Sequence, residues 1–371
     1  MAKFMRVALV TLGLLASSGV RSEDLRIAVA VPRTGTVATA GDQVVTGARF
    51  AAEAINAAGG VDGRRIVLDV EDDACDPRQA ISVANRIVGE GIGLVDGHVC
   101  SAASIAAAPV YAEAGVLMMS PASVSAKLTD TAAAKGWGTI FRVYTRDDIQ
   151  GELVGGFMAE RYRDKTVVFV HDKGTYGKGI ADQVKASLEA HGVHPVATET
   201  INPGDKDYTA LVGKLKSFGA DVVYYGGYPP EGGLILRQAA EQGVKFQLVT
   251  TSGFAAPEFW AIAGPPGEGT IFPFPPDPSR RPEARAAVAA MIAAHAVPDG
   301  FTLFSYATVQ VLAEGARRAG TDKASVVAKA LRSGGPVDTV LGPLSFDPKG
   351  DAVGITYEMQ VWHDGRYAPL K

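Results

Sequence analysis

At 371 residues the chain is longer than one typical core and reads as about two domains. With 47% hydrophobic and 20% charged residues it has the makeup of a folded globular protein rather than a disordered one. A formal net charge of −4 argues against nucleic acid as a partner.

The first 22 residues read as a separate object. Lys3 and Arg6 make a basic start, Val7 to Ala16 is apolar, and the small residues Ser17, Ser18 and Gly19 follow. Val20 and Ser22 suit the −3 and −1 positions of a signal-peptidase site, so cleavage is expected after Ser22, with export to the periplasm. The apolar run is too short to span a bilayer, and no later stretch is long enough. Export implies an oxidising compartment for the two cysteines, Cys75 and Cys100. They either form a bridge or remain two buried thiols, and neither has metal-ligand spacing.

From Glu23 onward apolar strand runs alternate with amphipathic helices. Leu25–Val31 is the first strand; Val44, Ala48, Ala51 and Ile55 then fall at helical spacing until Gly59-Gly60 stops the helix. Strands follow at Ile66–Val70, Ile92–Val95 and Val116–Met119. Between them come a helix opened by Asp76-Pro77 and another over Ser101–Glu113. That alternation predicts an α/β protein with a parallel, doubly wound sheet. Near Phe141–Tyr144 the chain is expected to cross over, and Asp147 to open a helix running to about Arg163.

The alternation then repeats. Strands are predicted at Thr166–His171, Pro195–Thr198, Asp221–Tyr225 and Phe246–Val249, with helices around Gly179–Ala190, Thr209–Phe218 and Glu231–Gln242. The Pro-rich stretch from Phe272 to Pro278 shows no periodicity and reads as an inter-domain crossing, with helices resuming at Pro282–His295 and Phe304–Ala319. A local unit of helix, Gly, strand and Ser-rich turn occurs twice, at Glu113–Ser120 and Glu241–Ser252. Two similar lobes enclose a cleft.

Catalytic signatures are missing. His191 and His194 are three apart with no carboxylate at ligand spacing, and no Gly-x-Ser-x-Gly or His-Glu-x-x-His occurs. Gly174, Gly177 and Gly179 lack the order of a phosphate loop and read as a tight strand-to-helix turn. No cofactor and no enzymatic activity are expected.

Six segments carry a resemblance: Asp72-Asp-Ala-Cys-Asp-Pro77, Gly97-His-Val-Cys-Ser101, Ser120-Pro-Ala122, Val170-His-Asp-Lys-Gly-Thr-Tyr-Gly177, Val223-Tyr-Tyr-Gly-Gly-Tyr228 and Asp338-Thr-Val-Leu-Gly-Pro343. In order and spacing they resemble the periplasmic leucine/isoleucine/valine-binding proteins of ABC importers. The resemblance implies two Rossmann-like lobes joined by three crossings, capture of a small molecule by hinge closure, and delivery to an ABC permease in the inner membrane. It also implies a Cys75–Cys100 disulfide. The expected lobes are 23–146 plus 276–350 and 147–275 plus 351–371, and the protein is expected to be a monomer.

By the same resemblance, Ser101 and the Ala122-Ser123-Val124 turn hold the ligand's carboxylate. A strand end leading into a helix suits that task, because backbone N–H groups face the anion. Tyr176 and Tyr228 match positions that close over the ligand, and Phe301 matches an aromatic pocket position. Asp147 matches an acidic residue near the ligand's amino group in some relatives, or else caps the helix it opens. Three positions depart from the family pattern: Ala40 replaces a Tyr or Trp, Val124 a Thr, and Ser252 a Glu that pairs with the ammonium. A buried ammonium without a partner is penalised. The reading therefore favours a hydrophobic carboxylate without the amine, an aromatic or 2-oxo acid, with an amino acid held by Asp147 as the competitor. A periplasmic sensor built on the same clamshell is the alternative to an importer component.

Overall fold

In the computed structural model residues 23–371 are described. The expected signal peptide, residues 1–22, lies outside the described residues. The first half of the chain runs β1 (Leu25–Val31), α1 (Ala38–Ala57), β2 (Ile66–Asp72), α2 (Pro77–Gly89), β3 (Leu94–Gly97), α3 (Ser101–Ala114), β4 (Leu117–Ser120), α4 (Ala126–Lys135) and β5 (Ile140–Arg142). These five strands form one parallel sheet in the order β2-β1-β3-β4-β5. β1 is an almost continuous apolar run because helices cover both faces of a central parallel strand. At α2, Asp76 caps the helix by accepting from the N–H groups of Arg78 and Gln79 at 2.8 and 3.0 Å, while Pro77 takes a position where no N–H is needed.

The second half runs α5 (Asp147–Arg161), β6 (Val167–His171), α6 (Thr175–Ala190), β7 (Ala197–Thr200), α7 (Thr209–Phe218), β8 (Val222–Gly226), α8 (Pro229–Glu241), β9 (Gln247–Thr250), α9 (Pro257–Ala263) and β10 (Ile271–Phe274). The chain continues through α10 (Arg285–Ala293), α11 (Thr302–Ala319), α12 (Ala324–Ser333), β11 (Val337–Thr339), β12 (Gly342–Phe346) and β13 (Ala352–Val353). It ends with β14 (Glu358–His363) and β15 (Arg366–Pro369). The second sheet has the order β15-β14-β10-β9-β8-β6-β7. Its parallel part, β7-β6-β8-β9-β10, repeats the strand order of the first sheet, and β14 and β15 extend it antiparallel. α11 packs along α1, so the late helices belong to the layer over the first sheet. No helix among the described residues is long and apolar enough to cross a membrane.

Three sequence expectations differ from the structure. Phe141 and Arg142 lie in β5 rather than in a crossover, and α4, which precedes them, had no counterpart among the expected elements. The Pro-rich stretch begins inside the second sheet, since Ile271–Phe274 is the buried strand β10. Pro273 is tolerated there because β10 meets β9 at only one residue pair, Ile271 with Val249, and finds most of its pairing on β14. Phe272 and Phe274 are buried against Trp362 and Tyr367, which a mere linker would not require. Of the glycines read as a strand-to-helix turn, Gly174 is the N-cap of α6, whereas Gly177 and Gly179 already lie within α6. α6 approaches β8 so closely that a Cβ on Gly177 would sit 2.5 Å from the Gly226 carbonyl oxygen.

Cys75 and Cys100 are bridged, with Cα atoms 5.5 Å apart and a sequence separation of 25. The bridge ties the loop after β2 to the residue that caps α3. Closing a loop of this length stabilises by roughly 3–4 kcal/mol on the chain-entropy model. Replacing both cysteines by serine should lower the urea-unfolding free energy by about that amount, with the slope of the transition checked for changes in the unfolded state. A double variant as stable as the parent would show that the bridge constrains nothing.

Candidate functional site

In an open α/β sheet, ligands bind beyond the carboxyl ends of the strands where the strand order reverses. Both sheets here have that point between their first and third strands, β1/β3 and β6/β8. Both sets of strand ends open on one cavity. Val37 and Ala40 reach it from beyond β1, Cys100 and Ser101 from beyond β3, and Ala122 and Val124 from beyond β4. From the other side come Tyr176 after β6, Tyr228 after β8, and Ser252, Gly253 and Glu258 after β9. Phe301, immediately before α11, completes the wall.

Eight of the ten residues singled out from sequence therefore line one cavity: Ala40, Ser101, Ala122, Val124, Tyr176, Tyr228, Ser252 and Phe301. Ser123 and Asp147 do not. Ser123 lies beneath the surface, where its hydroxyl donates toward the carbonyls of His98 and Val99, each at 3.1 Å. Asp147 is the first residue of α5, not its N-cap, and its carboxylate accepts from the Ala126 N–H at 2.9 Å. It thus caps the neighbouring helix α4 instead of its own. Burial raises its carboxyl above the usual carboxylate range, partly offset by that N–H.

The Ser101 side presents hydrogen-bond donors at the start of a helix. Cys100 is the N-cap of α3 and Ser101 its first residue, so the first N–H groups of a 14-residue helix lack intrahelical partners there. The Ser101 hydroxyl also accepts from the Ser125 N–H at 3.3 Å, which joins α3 to the turn after β4. Within that turn the Ser120 hydroxyl occupies the N–H groups of Ala122 and Ser123. The Val124 N–H makes no hydrogen bond among the described residues. Valine at this position removes a hydroxyl but leaves the backbone donor.

The opposite wall is mostly aromatic, with Glu258 its one ionisable carboxylate among the described lining residues. The rings of Tyr176 and Tyr228 lie 5.0 Å apart, and the Tyr228 hydroxyl is 3.7 Å from Cys75 Sγ, across the cleft on the disulfide loop. Burial pushes the Tyr176 phenol up to about 12, opposed by hydrogen bonding from Thr251, so it remains protonated at neutral pH. Ser252 is held by Gln150, whose Nε2 donates to its hydroxyl at 3.1 Å while Oε1 accepts its N–H at 3.2 Å. Phe301 packs edge-on against Tyr144 at 5.5 Å.

Sequence reasoning missed Glu258, the one carboxylate among the lining residues described. Pro257-Glu258 reads as an ordinary helix start, which it is, and nothing in that pattern signals a cavity. Burial raises its carboxyl above the usual range, against hydrogen bonding from Thr39 and with repulsion from Glu231.

The comparisons agree with this geometry. The model of the periplasmic binding protein family matches residues 24–365. A Leu/Ile/Val-binding protein homologue of Brucella melitensis is 41% identical over 349 residues, 94% of each chain. The leucine-, isoleucine-, valine-, threonine- and alanine-binding protein of Pseudomonas aeruginosa is also 41% identical, over 94% of this chain and 92% of its own. Among solved structures, a branched-chain amino acid transporter substrate-binding protein from Streptococcus pneumoniae, in complex with isoleucine, superposes with a TM-score of 0.84. It is 28% identical and covers 93% of this chain and 97% of its own.

Two outcomes are expected. Ser101→Ala should weaken binding of a carboxylate ligand by about 1–3 kcal/mol in calorimetry, the range for a lost hydrogen bond to a charged group; unchanged affinity would place the anchor elsewhere. The second concerns Asp172, which shapes the turn carrying Tyr176 by accepting from the Gly174 N–H at 2.8 Å. Burial, opposed by that N–H and reinforced by Glu231, raises its carboxyl to about 6. Between the unfolded value and about 6 only the folded state holds this proton, so its contribution to stability is lost as the pH rises through that window. Asp172→Asn should remove that fall, worth roughly 3 kcal/mol at most, in unfolding titrations from pH 4 to 7.

The eight converging residues, the doubled strand order and the family match agree, and the chain belongs to the periplasmic binding protein family, alongside the Leu/Ile/Val-binding protein homologues.

Proposed function

We propose that this chain is the solute-binding component of an ABC importer of the branched-chain amino-acid type, and that it holds a small aliphatic amino acid in the cavity between two lobes. The observation that carries the reading is the convergence of Ser101, Ala122 and Val124 from one sheet with Tyr176, Tyr228 and Ser252 from the other on a single cavity. In this reading the ligand's carboxylate meets the Ser101 hydroxyl, the start of α3 and the Val124 N–H. Tyr176, Tyr228 and Phe301 enclose its apolar part. Residues 23–146 plus 276–350 form one lobe and 147–275 plus 351–371 the other. The protein is exported, works as a monomer in the periplasm without a cofactor, releases its ligand unchanged and delivers it to an inner-membrane permease.

The preference for an aromatic or 2-oxo acid rested on there being no acidic group for an ammonium except Asp147. Asp147 is engaged at Ala126, but Glu258 lines the cavity, and that premise falls away. The names of the relatives from Brucella and Pseudomonas support an amino acid.

Thermal-shift and calorimetric titration should compare leucine, isoleucine, valine, threonine and alanine with phenylalanine, phenylpyruvate and benzoate. A true ligand at 100 times its dissociation constant stabilises by about 2.7 kcal/mol. At least one aliphatic amino acid is expected to bind more tightly than any aromatic or amine-free acid, and to be recovered intact after long incubation. Tighter binding of phenylpyruvate or benzoate than of all five would refute the ligand class.

A further inference from the structure

We propose that Glu258 is the counter-charge for the ligand's ammonium, and that the recognition of the amine in this protein has moved from position 252 to position 258. The inference rests on the reading above that the ligand is an amino acid.

Position 252, where the family resemblance leads one to expect a Glu, carries a serine with both its polar groups held by Gln150. That corner of the cavity is hydrogen-bonding and uncharged. Six residues further on, the first turn of α9 brings a carboxylate to the same cavity. Phe259, beside it, is fully buried in the core, which anchors α9 and leaves Glu258 half-exposed on the cavity side.

Glu258 has no ion-pair partner among the described residues; its ionisation is set by burial, by Thr39 and by Glu231. A partly buried carboxylate with no counter-charge beside it is favoured by a cation that joins it, and an ammonium arriving with the ligand supplies one. The residue across the cleft supports the same conclusion. Thr39 and Ala40 are adjacent in α1, and Ala40 stands where the resemblance leads one to expect a large aromatic. A Tyr or Trp at 40 would take up room in the cavity that residue 40 and Glu258 both line. The small residue at 40, the neutral residue at 252 and the acid at 258 thus form one compensating set: a charge withdrawn from one corner of the cavity and supplied at another that has been cleared to receive it.

The test is calorimetry with leucine and its 2-oxo acid, 4-methyl-2-oxopentanoate, on the parent and on Glu258→Gln, which keeps shape and removes charge. Leucine is expected to weaken by about 10–100-fold, the range for a lost hydrogen bond between charged groups, while the 2-oxo acid binds the variant as well as, or better than, the parent. Thr39→Val, which touches only the hydroxyl opposite, is expected to cost leucine a few-fold and the 2-oxo acid nothing; it stands in should Glu258→Gln not fold, as judged by its ligand-free melting temperature. Parent affinity for leucine in folded Glu258→Gln, or an equal loss for both ligands, would overturn the assignment while leaving the amino-acid reading in place. A parent that binds the 2-oxo acid more tightly than leucine would overturn both.

Discussion

The cavity depends on one buried guanidinium. Arg142, at the end of β5, is fully buried, and its Nη1 donates to the carbonyls of Ser123 and Ser125, both at 3.0 Å. Those carbonyls flank Val124, whose N–H makes no hydrogen bond among the described residues. The same guanidinium pairs with Asp351 and reaches Thr129, and Asp351 in turn accepts from Arg146 at 3.0 Å. A buried ion pair contributes little by itself, because desolvation offsets the attraction, yet removing Asp351 would leave the Arg142 guanidinium buried without its ion-pair partner. The arrangement fixes geometry more than it adds stability. The Val124 carbonyl also accepts the N–H of Asp147, so the turn, the start of α5 and the returning chain at Asp351 meet at one node. The loop that presents the anchor is held where the chain passes between the two sheets.

This node explains what was legible in the sequence and what was not. Strands such as β1 and β6 and helices such as α2 and α7 announce themselves because their apolar spacing, caps and breakers are local. That the strands of each half pair in parallel follows from the same alternation, whereas the order β2-β1-β3-β4-β5 and its repetition are read only from the structure. Cavity positions at strand ends came from the family resemblance, with which a parallel sheet agrees by placing its carboxyl ends on one edge. Asp147 shows the limit. Its position at the head of a helix suggested a cap or a ligand contact, whereas its carboxylate caps α4, a helix too rich in alanine and polar residues to stand out. β10 was hidden by its prolines, because its burial depends on aromatic side chains from β14 and β15 almost a hundred residues later. Glu258 was hidden because only the folding of α9 toward α1 makes it part of a cavity.

Behind the anchor lies a second layer. The His98 carbonyl accepts from the hydroxyls of Ser104, Ser120 and Ser123, while its ring pairs with buried Asp73 at 2.6 Å and with the Tyr111 hydroxyl at 3.1 Å. Asp73 also accepts from the N–H of Cys75. The disulfide loop, the start of α3 and the turn after β4 are therefore joined into one rigid body by covalent and hydrogen-bonded links. Ser101 gains its position from this frame rather than from its own single contact with Ser125.

The second sheet offers the cavity a different kind of wall. Tyr176 and Tyr228 are placed by turns whose carboxylates, Asp172 and Glu231, are spent on backbone N–H groups of Gly174 and Gly204. Their rings lie against each other and reach the disulfide at Cys75 with a single contact, in place of a network. One side thus holds polar groups in fixed directions, while the tyrosine rings of the other supply flat apolar surface beside Ser252 and Glu258. A ligand with an anionic end and an apolar body suits that division, because only its charged end needs groups positioned to within a hydrogen bond. The disulfide sits where the two kinds of surface meet, so constraining the unfolded chain and fixing the rim that Tyr228 touches are consequences of the same bond.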